Sequence, residues 1–274
     1  MTRSWRSHVA ALGISWLFVL PPAFAQAPAA PPADAASAKT WMDRRDEIET
    51  YLKTAAIVEM EELKTGVTRP RRAHLAPGGP VGSLAWKLVP PGRPYGYWES
   101  YKSEIAAYEL DKLLGLDMVP PTVEKRVKGD LGAAVMWCSP TQSFKQLGGV
   151  PTPPPAHATR WARQLVRAKM FDNLIGNKDP NLGNWLVDPA WNLILIDHTR
   201  AFATDRELVH RNMDHLDAEL WARMQALTAD GLMRALQPWV GKREIDAILG
   251  RRERMKKIFD ELIAKKGEAE VVLR

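Results

Sequence analysis

Three polar residues punctuate one short apolar stretch. Residues 177–202 read NKDPNLGNWLVDPAWNLILIDHTRAF, with Asp179, Asn184 and Asp197 at its turning points. The runs Trp-Leu-Val and Leu-Ile-Leu-Ile flank Asp188-Pro189-Ala190-Trp191-Asn192, so the spacing predicts a loop, a strand, a tight turn and a second strand that delivers Asp197 at its end. An asparagine and an aspartate facing each other across a hairpin can hold a hard divalent cation through oxygen. A second aspartate, five residues before the asparagine, is placed to take a proton from a hydroxyl or to orient it. Phosphoryl transfer needs both parts, together with a protein cation for the donor phosphates. Lys87, in SLAWKLV, is such a cation on a strand, and Glu104 follows seventeen residues later on a helix. Each residue also has a plainer use: Asp and Asn favour turns, Lys87 reads as an exposed strand lysine and Glu104 as part of a solvated helix face.

The elements that must position these groups follow from periodicity and punctuation. Residues 40–53 have apolar positions at helical spacing, with Thr40 as a candidate N-cap. Residues 56–63 are ambiguous, whereas 66–75 and 83–89 read as strands joined through Gly78, Gly79 and Gly82. Ser100 to Leu114 is the clearest helix of the first half, stopped by Gly115. Residues 122–127 and 133–138 read as strands, the second apolar enough to be central. A Pro-rich passage at 139–155 marks a lobe boundary. Beyond it the pattern is helical, over 161–175 and roughly 205–211, 216–236 and 243–265. The order predicts an α+β, two-lobed architecture with a β-rich N-lobe at 39–138 and a helical C-lobe at 139–274.

The chain of 274 residues begins with Arg3 and Arg6, an apolar core from Val9 to Leu20 and Ala23-Phe24-Ala25, which together read as a signal peptide over 1–25. The apolar core is shorter than the roughly 20 residues of a membrane span, so the mature chain is expected to have none; an uncleaved anchor is the other reading. Residues 26–38 are rich in Ala and Pro and read as a flexible linker. The net charge is +6, and residues 1–25 carry two arginines and no acids, so the remainder keeps four of those charges. This suits anionic ligands, and without a long basic run nucleic acid is not an expected partner. Cys138 is the single cysteine, which rules out an internal disulfide, and it reads as a small buried hydrophobe.

The order of these motifs resembles the protein-kinase-like fold. Asp-x-x-x-x-Asn, with a further Asp thirteen residues on at a strand end, is similar to its catalytic loop and metal site. The wording NKDPNLGNWLVD…LILIDHTRAF is most similar to the atypical branch of phosphatidylinositol 3- and 4-kinases, HipA-like kinases and Golgi secretory-pathway kinases. The similarity covers about residues 55–265 and includes AWK and SEIAAYELDKLLGLDMVPPTV. It implies ATP as donor with Mg²⁺ or Mn²⁺. Lys87 would hold the α- and β-phosphates and pair with Glu104; Asp179 would be the catalytic base; Asn184 and Asp197 would bind the metal. Val135, Met136 and Trp137 would lie near the hinge that meets adenine, although Trp137 reads equally as core. Glu109 and Asp111 share the helix of Glu104 without matching the motif. The pattern is departed from in two places: no GxGxxG precedes Lys87, although Gly78, Gly79 and Gly82 could cover phosphates, and Pro180 follows Asp179 where related sequences often have Arg or His. Arg69, Arg71 and Arg72 read as phosphate contacts or a solvated strand face, His198 as structural, and Asp172 and Asn173 as helix surface or helix end.

These features predict an exported kinase-like phosphotransferase that moves a nucleotide γ-phosphate to a hydroxyl of a protein, sugar or lipid-linked acceptor. Its compartment would be the periplasm in a bacterium and the secretory lumen or exterior in a eukaryote. The alternatives are a pseudokinase that binds nucleotide or a partner without catalysis, and a helical binding module with an incidental motif.

Overall fold

The computed structural model describes residues 37–63, 71–93, 96 and 98–274. The expected signal at 1–25, the linker up to residue 36, and Arg69 with the start of the expected strand at 66–70 lie outside the described residues. No helix among the described residues is long and apolar enough to cross a membrane.

The first helix, α1, spans Arg45–Thr54 and is preceded by Arg44, which makes no side-chain cap. It starts later than residue 40 because Arg44 N–H closes a turn on Trp41 O, and that turn sinks Trp41 into the core at 0% exposure. Strands β1 (Ile57–Glu62), β2 (Arg71–Leu75) and β3 (Ser83–Lys87) follow, then α2 (Tyr101–Leu114), β4 (Thr122–Val127) and β5 (Asp130–Met136). All five strands form one antiparallel sheet in the order β1-β2-β3-β5-β4. The ambiguous glutamate-rich segment is thus the edge strand β1. Its Glu61 and Glu62 stand opposite Arg72 and Arg71, and cross-strand charge pairs of this kind suit a solvated edge. β5, as its composition predicts, is an interior strand. α2 is capped by the Ser100 side chain, which accepts from Lys102 N–H, and ends at Gly115 with φ 53°, the left-handed stop that glycine allows.

The second half comprises β6 (Gln142–Ser143), α3 (Ala158–Ile175), β7 (Trp185–Val187), β8 (Leu193–Leu195), β9 (Leu216–Asp217), α4 (Ala218–Gln225), α5 (Ala229–Leu236), α6 (Lys242–Lys266), α7 (Glu268–Val271) and β10 (Val272–Leu273). β7 and β8 form the expected hairpin, with Trp185 opposite Leu195. The expected helix at 205–211 is irregular chain, held by Arg251, whose guanidinium donates to Ala203 O and Asp205 O. The expected helix at 216–236 is two, because Thr228 caps a new start with its side chain.

One apolar core lies under the sheet and joins Trp41, Ile48 and Leu52 to Leu84, Trp86, Ala134 and Cys138. A larger one joins α3, α5 and α6 and takes in Ala106, Tyr108 and Leu110 of α2, so α2 is shared between the lobes. Residues 37–41 also bridge them. Ser37 Oγ and Ala38 N–H donate to Asp188 Oδ2 in the β7–β8 turn, at 3.0 and 2.9 Å, while Trp41 is buried beneath the sheet.

Candidate active site

Lys87 ends β3 with its side chain directed between the lobes. It is 6% exposed, and its Nζ donates to Glu104 Oε1 at 2.5 Å and to Asp197 Oδ1 at 2.8 Å. Glu104 is 2% exposed on the first turn of α2. The exposed-lysine and solvated-helix readings therefore fail: one buried cation is shared by two carboxylates from different elements. Burial works against charge on Lys87, but Asp197 and Glu104 outweigh it and hold the ammonium above its ordinary range. Burial likewise opposes charge on Glu104, but the Lys87 ammonium outweighs it and holds the carboxyl below its ordinary range. His198 is 1% exposed, and its Nδ1 lies 3.8 Å from Glu104 Oε2, beyond hydrogen-bond reach. It packs edge-on against Phe171 at 6.2 Å, where it acts as a wall behind Glu104.

Asp197 lies two residues beyond β8 with φ 62°. A left-handed backbone at a non-glycine residue costs about 1–2 kcal/mol. The strain is offset where it turns a carboxylate onto Lys87, a pattern typical of functional sites. Thr199 Oγ1 also donates to Asp197 Oδ1, at 3.2 Å, so both of these side-chain donors fall on that oxygen rather than on Oδ2. Asn184 faces it across the hairpin mouth, and Ile196 N–H donates to Asn184 O at 3.0 Å. The Asn184 amide nitrogen is spent on Asp179 O at 3.1 Å, which leaves its oxygen for a ligand. Two hard oxygens, one amide and one carboxylate, fit a magnesium- or manganese-sized cation whose other ligands come from phosphate and water. Among the described residues no group of three or more His, Cys, Asp or Glu side chains is arranged to hold a metal without such help.

Asp179 leads the loop between α3 and β7. Its Oδ1 accepts from Asn181 Nδ2 at 2.9 Å, and its Oδ2 lies 3.5 Å from Arg200 Nη1. Its backbone N–H donates to Asn177 Oδ1 at 3.2 Å, and Asn177 Nδ2 donates to Asp172 Oδ1 at 2.9 Å. Asp172 and Asn173 do end α3, but they are buried, at 1% and 0% exposure, rather than on its surface. Asn173 grips the His210 backbone at both its N–H and its carbonyl, so this helix end anchors the loop. Asp111 is buried as well and accepts from the backbone N–H groups of residues 117, 118 and 119, a structural brace.

The glycine cluster is placed differently from a phosphate cover. Residues 76–82 connect β2 to β3 at the end where His74 pairs with Ser83, whereas Lys87 pairs with Ala133 at the other end, about 13 Å along the strand. Gly79 instead packs against Tyr51 of α1, with no room for a Cβ. The wide depression there is lined by Tyr51, Ala76 and Gly79 and by none of the site residues. At the expected hinge, the N–H groups of Met136 and Trp137 are already committed to Pro121 O and Ser83 O, at 2.9 and 3.1 Å, and the Met136 side chain packs into the core under the sheet. The Trp137 ring is half-buried, with the Arg72 guanidinium 4.6 Å above it. Cys138 is buried, which pushes its thiol up to about 12.

Sequence reasoning missed Arg200 and Glu99. Arg200 Nε and Nη2 both reach Glu99 Oε1 at 2.6 Å, and Glu99 is 1% exposed just before α2. These residues are 101 positions apart, and no local pattern links them.

No protein-family model matches the sequence, and no curated protein matches it. Solved structures do. The Golgi casein kinase aligns with a TM-score of 0.63 at 17% identity, covering 84% of this chain and 79% of that one. Hydra Fam20 with sugar aligns at 0.62 and 16% identity, covering 82% and 90%. The Golgi casein kinase with Mn/ADP bound aligns at 0.58 and 16% identity, covering 84% and 78%. With a five-stranded antiparallel sheet set against a helical half and a buried lysine between them, the chain has the two-lobed, atypical protein-kinase-like fold.

Proposed function

We propose that this protein is a kinase-like phosphotransferase that moves the γ-phosphate of a nucleotide to a hydroxyl. The observation that carries the reading is Lys87, buried and held by Glu104 at 2.5 Å and by Asp197 at 2.8 Å. A lysine held by a helix carboxylate and the hairpin aspartate is the arrangement that sets a cation over donor phosphates. Lys87 binds the α- and β-phosphates, and Glu104 keeps the ammonium in place and charged. Asn184 and Asp197 hold the metal through Oδ1 and Oδ2. When bound, Mg²⁺ or Mn²⁺ neutralises charge on the phosphate oxygens. Asp179 orients the acceptor hydroxyl and takes its proton. Adenine lies against residues 135–137, with the lobe boundary at 138–139. The protein's contribution is position and charge rather than covalent chemistry. An Mn/ADP-bound structure of the same fold supports nucleotide and divalent metal as the ligand class. Export, read from residues 1–25, belongs to the same proposal.

A second reading has one observation in its favour: both Asp179 oxygens already face partners, Asn181 and Arg200. A pseudokinase that binds nucleotide without transfer fits that state. The chain from Gln26, incubated with γ-labelled ATP and Mg²⁺ or Mn²⁺ beside Asp197→Ala, separates the two. Label incorporated or released by the wild type and absent in the variant establishes transfer. Metal-dependent nucleotide binding without turnover establishes the pseudokinase, and neither signal defeats both.

A further inference from the structure

We infer that Arg200 is a positioning residue that ties the start of α2 to Asp179, so that the helix carrying Glu104 and the loop carrying Asp179 are set together. The tie stands on distances alone; its consequence for turnover rests on the phosphotransfer reading above. Glu99 is buried immediately before α2, and among the described residues no other side chain pairs with it. Two guanidinium nitrogens converge on one Glu99 oxygen at 2.6 Å, which leaves Nη1 to face Asp179 Oδ2 at 3.5 Å. At 3.5 Å this is an ionic contact rather than a hydrogen bond, so it steers the carboxylate without locking it.

The backbone repeats the same link. Ser100 N–H, at the cap of α2, donates to Thr199 O, and Ser103 Oγ donates to Ala201 O. On the other side Lys178 N–H, next to Asp179, donates to Arg200 O at 3.1 Å. The segment 199–201 therefore touches α2 on one side and the Asp179 loop on the other. Since Pro180 has no charged side chain, the cation beside Asp179 comes from Arg200 instead. A shift of α2 that separates Glu104 from Lys87 also drags Arg200, and with it Asp179.

The test uses the full mature chain and two variants. Glu99→Gln/Arg200→Gln replaces the ion pair with two neutral amides, so that no charge is left buried without its partner. Arg200→Lys keeps one charge but reaches a single carboxylate at a time. Amide hydrogen exchange reads the tie, and γ-labelled ATP turnover with Mn²⁺, normalised to nucleotide-binding sites, reads its consequence. In the double variant the amides of 179 and 181–184 should exchange about five- to tenfold faster while those of α3 and β5 stay unchanged. Turnover should fall about 100-fold with nucleotide affinity within about twofold, because a loss of orientation acts on the chemical step. Arg200→Lys should fall between the wild type and the double variant. Unchanged exchange at 179 and 181–184, or a loss of protection spread evenly through α3 and the sheet, overturns the inference. Faster local exchange in the double variant, with a wild type that shows no turnover, upholds the tie and defeats the phosphotransfer reading.

Discussion

Lys87 with its two carboxylates behaves as a single unit, and its pH dependence follows from the two shifts. Glu104 is held below its ordinary value of 4.5, so its contribution to stability is fully present above pH 4.5 and is lost as pH falls through the lowered value. Lys87 is held above its ordinary 10.5, so its contribution is present below pH 10.5 and is lost only as pH rises through the raised value. The urea midpoint of Glu104→Gln should therefore lie below that of the wild type at pH 7, and the gap should narrow below pH 4.5. A gap that stays constant down to pH 3 would assign the loss to packing instead. Lys87→Met should abolish turnover and, by stranding a buried Glu104, cost about 3–5 kcal/mol in denaturant melts. Lys87→Met/Glu104→Gln should recover part of that stability and none of the activity.

At the scale of elements, the site depends on how closely β3 and β5 approach. A Cβ on Gly132 would lie 2.6 Å from the Lys87 backbone oxygen, so Gly132→Ala must push β5 away from the residue that carries the lysine. It should weaken metal-dependent nucleotide binding in a thermal-shift titration; unaltered binding would mean that the sheet yields without moving Lys87. Much at this scale is legible in the sequence, because the signals are local: Ser100 and Gly115 bracket α2, the glycines before Ser83 mark the start of β3, and Asp188 to Asn192 mark the hairpin turn. What escapes is non-local. β1 looks indeterminate because its glutamates make sense only opposite Arg71 and Arg72. The glycines at 78–82 look like a phosphate cover until the register places them at the far end of the strand from Lys87. Asp172 and Asn173 look like surface because their partners, Asn177 and His210, come from the next loop and from well beyond the hairpin. Glu99 and Arg200 need the assembled fold before their pairing can be seen.

For the molecule as a whole, the bridge made by residues 37–41 couples the two cores. Asp188 is 0% exposed and also accepts the Asn192 backbone N–H and Nδ2, in addition to Ser37 and Ala38. Asp188→Ala leaves the buried Ala38 N–H without its acceptor and removes three partly buried bonds from Ser37 and Asn192, and should cost about 1–3 kcal/mol, read as a fall of several degrees in Tm. The same substitution should open residues 37–41 to limited proteolysis, and equal resistance in both proteins would show that Trp41 alone seats the segment. The bridge also fixes a direction. Asp188 is at the closed end of the β7–β8 hairpin and Asn184 and Asp197 are at its mouth, about 13 Å away along the strands. Ser37 is thus seated at the end of the hairpin opposite the one where Asn184 and Asp197 meet, so the bridge between the cores and the candidate site occupy opposite ends of the same two strands.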